Sequence, residues 1–189
     1  MPVLISLVFF VLLFFITLLW ILIPAFYGLP SVPTRPDRIR KALKLVNLQP
    51  DEVLYDLGAG DGRVLLIAAR EFGAKATGVE IGPVQCVLIW LRLVASGLSA
   101  RAKIQLGNFY KSDLRDADVV FIYATSKEVA KLESFLEKQL KHGARLVSIS
   151  TDFPNWEPTT YDDHELIFAY QVPPKHGNLT TYLLKKARE

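Results

Sequence analysis

The chain has 189 residues, 51% of them hydrophobic, with a net charge of +3, one cysteine and three histidines. That length allows one domain with a full core beside a short appendage. The modest charge and the lack of a basic stripe interleaved with aromatics argue against a nucleic-acid partner. Cys86 is alone, which excludes an intrachain disulfide, and His142, His164 and His176 show no metal-ligand spacing, so no metal is expected.

Every charged residue lies at or beyond Arg35. Val3 to Ile23 is uncharged, with only Ser6 and Thr17 polar, and is long enough as a helix for a bilayer core, which takes about 20 apolar residues. Trp20, Phe26 and Tyr27 fall where an interfacial aromatic belt would sit, and Pro24 and Gly28-Leu29-Pro30 stop the helix. A cleaved signal peptide is the competing reading. Against it, no Lys or Arg precedes the run, the run is too long, and no small-x-small site follows closely. Residues 1–28 are therefore expected to be a retained transmembrane anchor, meeting the lipid bilayer through residues 3–23, with 29–36 as linker. The basic flank of Arg35, Arg38, Arg40, Lys41 and Lys44 leads us to expect a single-pass membrane protein with the bulk of the chain on the cytoplasmic, or matrix-equivalent, side.

Residues 37–189 alternate helices and strands. Asp37 is placed to cap a helix running to about Val46, with Ile39, Ala42, Leu43 and Val46 on one face. Val53–Leu57 reads as a strand, Leu65–Glu71 as a helix and Ala74–Val79 as the next strand. Pro83–Leu98 is a strongly apolar helix, with Cys86, Ile89, Trp90, Leu93 and Val94 on one stripe. Burial against a sheet is its expected role, and a contact with lipid or target the alternative. Arg101–Leu106 and Asp118–Tyr123 read as strands, Ser126–Leu140 as a helix ended by Gly143, and Ala144–Ser150 as the fifth strand. Glu165–Gln171 and Thr180–Lys185 read as a closing hairpin. The expected fold is α/β: a doubly wound, Rossmann-like, mostly parallel sheet with a C-terminal antiparallel hairpin.

The most informative stretch is Tyr55-Asp56-Leu57-Gly58-Ala59-Gly60-Asp61-Gly62-Arg63, followed by Gly78-Val79-Glu80. It reads as strand, glycine loop, helix, and second strand ending in an acid. Glycines let the backbone turn and approach a ligand with no Cβ in the way. An acid about 20 residues on can accept hydrogen bonds from ribose hydroxyls. Two cofactors fit such a layout. The dinucleotide fingerprint is G-x-G-x-x-G, whereas here the spacing is G-x-G-x-G and Asp56 stands two residues ahead. An acid so close would repel a pyrophosphate but suits an amino group, which points to S-adenosyl-L-methionine rather than NAD.

The nine-residue string resembles motif I of the class I methyltransferases. Pro33-Thr34-Arg35-Pro36, Asp118-Val119-Val120-Phe121-Ile122-Tyr123, and Ser148 through Phe153-Pro154-Asn155-Trp156-Glu157-Pro158 follow in order around it. Together they resemble a family of small membrane-anchored protein-lysine methyltransferases, whose mitochondrial members act on the ATP synthase c-subunit and the adenine nucleotide translocase. The resemblance spans roughly residues 30–160. It implies that Asp56, Gly58, Gly60 and Asp61 form the loop around the methionine part of S-adenosyl-L-methionine, that Glu80 is the ribose acid, and that Asn108, where the family usually has Asp, lies near the adenine. It implies that Thr34 and Tyr123 border the site of methyl transfer; the Tyr123-Ala124-Thr125-Ser126 stretch departs from the family's usual pattern. No residue is an obvious general base. The implied activity is N-methylation of lysine on a membrane protein, at a residue near the bilayer surface. The alternatives are a methyltransferase for a membrane lipid or quinone-type small molecule, and a tethered module that binds S-adenosyl-L-methionine without catalysis.

Overall fold

The structure is a computed structural model that describes residues 2–26 and 34–187, with side chains in the first stretch described over 4–18. Helix α1 runs over Pro2–Phe26, and its described side chains are all exposed. Among the described residues no helix is long and apolar enough to cross a membrane; the part of α1 with described side chains is shorter than the about 20 residues a bilayer core takes. Tyr27, Gly28-Leu29-Pro30 and Pro33, and the side chains of Trp20 and Phe26, lie outside the described residues.

The remaining elements are α2 (Pro36–Leu45), β1 (Val53–Leu57), α3 (Arg63–Glu71), β2 (Lys75–Glu80), α4 (Pro83–Ala95), β3 (Ala102–Leu106), β4 (Val119–Ile122), α5 (Ser126–Gln139), β5 (Arg145–Ile149), β6 (Trp156–Glu157), β7 (Thr160–Asp162), β8 (Ile167–Gln171), β9 (Lys175–His176) and α6 (Leu179–Lys186). Seven strands make one sheet in the order β3-β2-β1-β4-β5-β8-β7. β1 to β5 are parallel, while β8 pairs antiparallel with β5 and with β7. Strand alternation sends side chains to two cores. Leu54, Val119 and Phe121 join Leu43 of α2, Leu65 of α3 and Ile89 of α4. Tyr55, Leu57, Val120 and Ile122 join Val129, Leu132 and Leu136 of α5. The strand order reverses between β1 and β4, and the crevice beyond the carboxyl ends of strands at such a switch point is where open α/β sheets bind ligands.

Three expectations are corrected. Asp37 does not cap α2: Arg35 is the cap residue, makes no side-chain cap bond, and is followed by Pro36 at the first helical positions. Proline's fixed φ and missing N–H suit that place, and Asp37 sits instead in the first turn. The closing hairpin is β7–β8; Thr180–Lys185 is helical, inside α6. Asn178 starts that helix by accepting from the Thr181 N–H at 2.9 Å, a local bond that outcompetes strand pairing. Asp162 Oδ1 accepts from the Glu165 N–H at 2.9 Å and shapes the turn of the real hairpin. On α4, Cys86, Ile89 and Leu93 are buried, but Trp90 and Val94 are 55% and 48% exposed, so the expected stripe is split.

The segment after β5 is held by aromatics. Phe153 stacks on Trp156 with centroids 4.5 Å apart, and the Phe153 N–H donates to the Tyr170 hydroxyl at 2.9 Å. Trp156 and Glu157 then pair with β9 as a small separate sheet.

Candidate functional site

The site forms where β1 and β2 end. Gly58, Gly60 and Gly62 have φ of 92°, 55° and 78°, the left-handed region that a side chain resists and glycine enters freely. That backbone path lets the Gly58 and Ala59 N–H groups both donate to the Val79 carbonyl, at 2.9 and 3.1 Å, closing the loop down on β2. Gly78 makes the approach possible: a Cβ there would stand 2.7 Å from Ala59 Cβ and 2.8 Å from Leu65 Cδ1.

Three carboxylates converge on this loop and are held differently. Glu80, at the end of β2, is nearly buried at 9% exposure. Its Oε2 accepts from the Gly60 N–H and its Oε1 from the Gly82 N–H, each at 2.9 Å. A carboxylate offers about four lone-pair positions, so both oxygens retain capacity for further donors. Asp56 is buried on β1. Burial, then the neighbouring charges of Glu80 and Asp61, push its carboxyl up to about 8. A cationic partner would relieve that repulsion. Asp61 is committed to bracing: its carboxylate meets Arg63 Nε at 2.6 Å and Arg92 Nη1 at 3.9 Å, while Arg92 also donates to the Asp61 carbonyl at 2.7 Å. The loop is thereby clamped between α3 and α4.

The remaining expected residues surround this centre at different removes. The Gly107 N–H donates to the Glu80 carbonyl at 2.9 Å, bringing the turn after β3 beside Glu80. There Asn108 Oδ1 accepts from the Tyr110 N–H at 3.0 Å, capping a 3-10 turn over Phe109–Lys111. Thr34 reaches the site through its backbone, its carbonyl accepting from Arg63 Nη1 at 3.2 Å. Tyr123 directly follows β4, whose last residue pairs with Leu57 of β1, so it emerges next to Gly58. It is packed against the core under α3.

Gly82 and Tyr110 are not apparent in the sequence. Gly82 donates to Glu80 although it lies outside any motif; its only sequence signal is the following Pro83, which opens α4. Tyr110 donates its hydroxyl to Glu128 Oε2 at 3.2 Å, and burial followed by the Glu128 charge pushes that hydroxyl up to about 12. Ser148 donates to the Thr151 carbonyl at 2.6 Å and Thr151 to the Ala124 carbonyl at 3.0 Å, tying the loops after β4 and β5 together at the crevice edge.

The chain is similar to known proteins. The chain is 36% identical over 130 residues to a protein-lysine N-methyltransferase of Saccharolobus islandicus, covering 68% of this chain and 81% of that one. It is 29% identical over 154 residues to the mouse ATP synthase c-subunit lysine N-methyltransferase, covering 79% of this chain but only 60% of the mouse protein. A crystal structure of an RNA methyltransferase from Salinibacter ruber, in complex with S-adenosyl-L-homocysteine, superposes with a TM-score of 0.73 at 30% identity, covering 75% of this chain and 94% of that one. The profile of the ANTKMT methyltransferase domain matches residues 56–160, over half of the chain. This chain therefore belongs to the ANTKMT methyltransferase domain family and is an S-adenosyl-L-methionine-dependent methyltransferase.

Proposed function

We propose that this enzyme methylates lysine side chains of a membrane-associated protein. The observation that carries the reading is the 36% identity to a protein-lysine N-methyltransferase across 81% of that protein, with the acid-lined crevice intact. The chain's residues fit the cofactor. Asp56, buried between two like charges, is an acceptor for its ammonium. Glu80, fixed by the Gly60 and Gly82 N–H groups with lone pairs to spare, is an acceptor for its ribose hydroxyls. The Gly58–Gly62 loop presents backbone with no side chain in the way. Asn108 still has its amide nitrogen and a second carbonyl lone pair for the adenine.

The cofactor supplies a methyl group made reactive by its sulfonium. The work left to the protein is positioning, which can supply several kcal/mol of barrier reduction. Thr34 and Tyr123 border the crevice and hold the incoming amine in line. Their half-buried surroundings favour the neutral form of a lysine whose free pKa is about 10.4.

Helix α1 serves as the anchor in this reading. It is supported by 25 helical residues without a charge, where a bilayer core takes about 20. The basic residues after it put the domain on the cytoplasmic face. A second reading, RNA methylation, has one observation in its favour, the likeness to the Salinibacter enzyme. Against it, basic residues in and just before α2 are engaged by acids: Arg35 and Lys41 with Glu165 at 3.1 and 2.9 Å, and Arg40 with Glu71 at 2.7 Å. The test offers native membranes, extracted lipid and total RNA, separately, to the purified enzyme with methyl-labelled cofactor. Label in membrane protein is expected. Label confined to RNA or to lipid overturns the proposal.

A further inference from the structure

Helix α4 presents an apolar face that the domain leaves uncovered. Val87, Leu88, Trp90, Leu91 and Val94 are 45% to 55% exposed. At 3.6 residues per turn they fill an arc of roughly 160°. Leu106, 62% exposed, extends the surface from β3, on the strand face that Ala102 and Ile104 turn toward the core under α4. The helix carries no acid, and its single charge is Arg92. Single exposed apolar residues are ordinary, but a contiguous face of this kind marks an interaction surface.

The path of the chain indicates what covers it. The described domain begins at Thr34, whose carbonyl is held by Arg63; Arg63 pairs with Asp61, and Asp61 with Arg92 of α4. An unbroken set of contacts thus joins the end of the linker to α4. Residues 27–33 can span less than about 30 Å even fully extended, so a bilayer that receives α1 lies within reach of this side of the domain. A tryptophan among aliphatic residues, beside an arginine and without a carboxylate, is the composition that enters the headgroup–acyl boundary.

We propose that the outer face of α4 rests on the lipid surface as a second contact beside the α1 anchor, setting the orientation of the crevice toward the bilayer. The inference rests on the membrane reading above. Membrane retention and docking of α4 are read separately. The full chain with Trp20→Phe, leaving Trp90 and the buried Trp156 as emitters, is reconstituted into protein-free phosphatidylcholine vesicles with and without brominated acyl chains. A Trp20→Phe/Trp90→Phe chain isolates the Trp156 signal. The chain is expected to stay with the vesicles through a salt wash, and Trp90 to lose most of its emission to bromine while Trp156 keeps its own. Retention without Trp90 quenching overturns the docking of α4 and leaves the anchor standing. Release by the wash overturns both. Cross-linking of Leu91→Cys copies to one another in the same vesicles, or shielding of Trp90 only in native membranes, assigns the face to a protein and overturns the proposal.

Discussion

The proposed function gives Glu80 two duties, and its replacement separates them. In the free protein it satisfies the Gly60 and Gly82 N–H groups. In the complex it would also accept from the ribose. Glu80→Ala should therefore weaken cofactor binding by about 1.5–3 kcal/mol, the loss of a charge-assisted contact, which is roughly 10- to 150-fold in Kd. It should also lower the melting temperature of the free protein, since a buried donor and a partly buried one lose their acceptor. Calorimetry and thermal melts check each part, and equal affinity in both proteins would remove Glu80 from the site. Asp56 yields a pH test. Its carboxyl is raised to about 8 from an unfolded value near 4. A raised acid contributes fully below its unfolded value and loses its contribution as pH climbs toward its folded one. The free enzyme should thus lose stability between about pH 4 and 8, and Asp56→Asn should flatten that slope. A bound ammonium would favour the ionised form of this raised carboxyl. Cofactor binding should therefore release protons, read by calorimetry in buffers of different ionisation enthalpy, and release less in Asp56→Asn.

At the scale of elements, the loop is first a packing solution. Gly78→Ala would drive a methyl group into Ala59 and Leu65 and should cost about 1–3 kcal/mol. Gly97→Ala meets nothing within 4 Å, although its φ of 67° strains a side chain, and should cost about 1 kcal/mol. Denaturant titrations of the two rank overpacking against backbone strain. The parallel half of the sheet was legible because short strand-like segments alternate with helical ones, β4 is a continuous apolar run, and its loop is spelled in glycines and acids. The carboxyl-terminal half was less so. Thr180 to Lys185 has the β-branched and aromatic content of a strand, and only Asn178 marks the helix that forms there. The α4 stripe misleads for a different reason. Periodicity locates apolar residues on a helix but not the width of the surface that receives them, and β2 and β3 cover only Cys86, Ile89 and Leu93. Glu80 and Asp56 were readable by spacing. Gly82, and the commitment of Asp61 to Arg63 and Arg92, depend on how loops distant in sequence fold together.

For the molecule as a whole, the proposed anchoring through α1 and the short segment after it would confine the crevice near a membrane surface. Short tethers raise the effective concentration of a co-resident target to about the millimolar range. Deleting residues 1–28 should consequently reduce methylation of the membrane target far more than it reduces cofactor affinity, and protease added outside sealed vesicles should spare the domain. Unchanged rates and targets after truncation would show that confinement is irrelevant. The chain's place among lysine methyltransferases meets its most direct test in the product itself. Membrane protein labelled by the full-length enzyme is hydrolysed, and its methylated amino acids are separated, with Glu80→Ala enzyme run in parallel. Label should appear as methylated lysine and be largely lost in the variant. Label in another amino acid, or equal labelling by the variant, would contradict it.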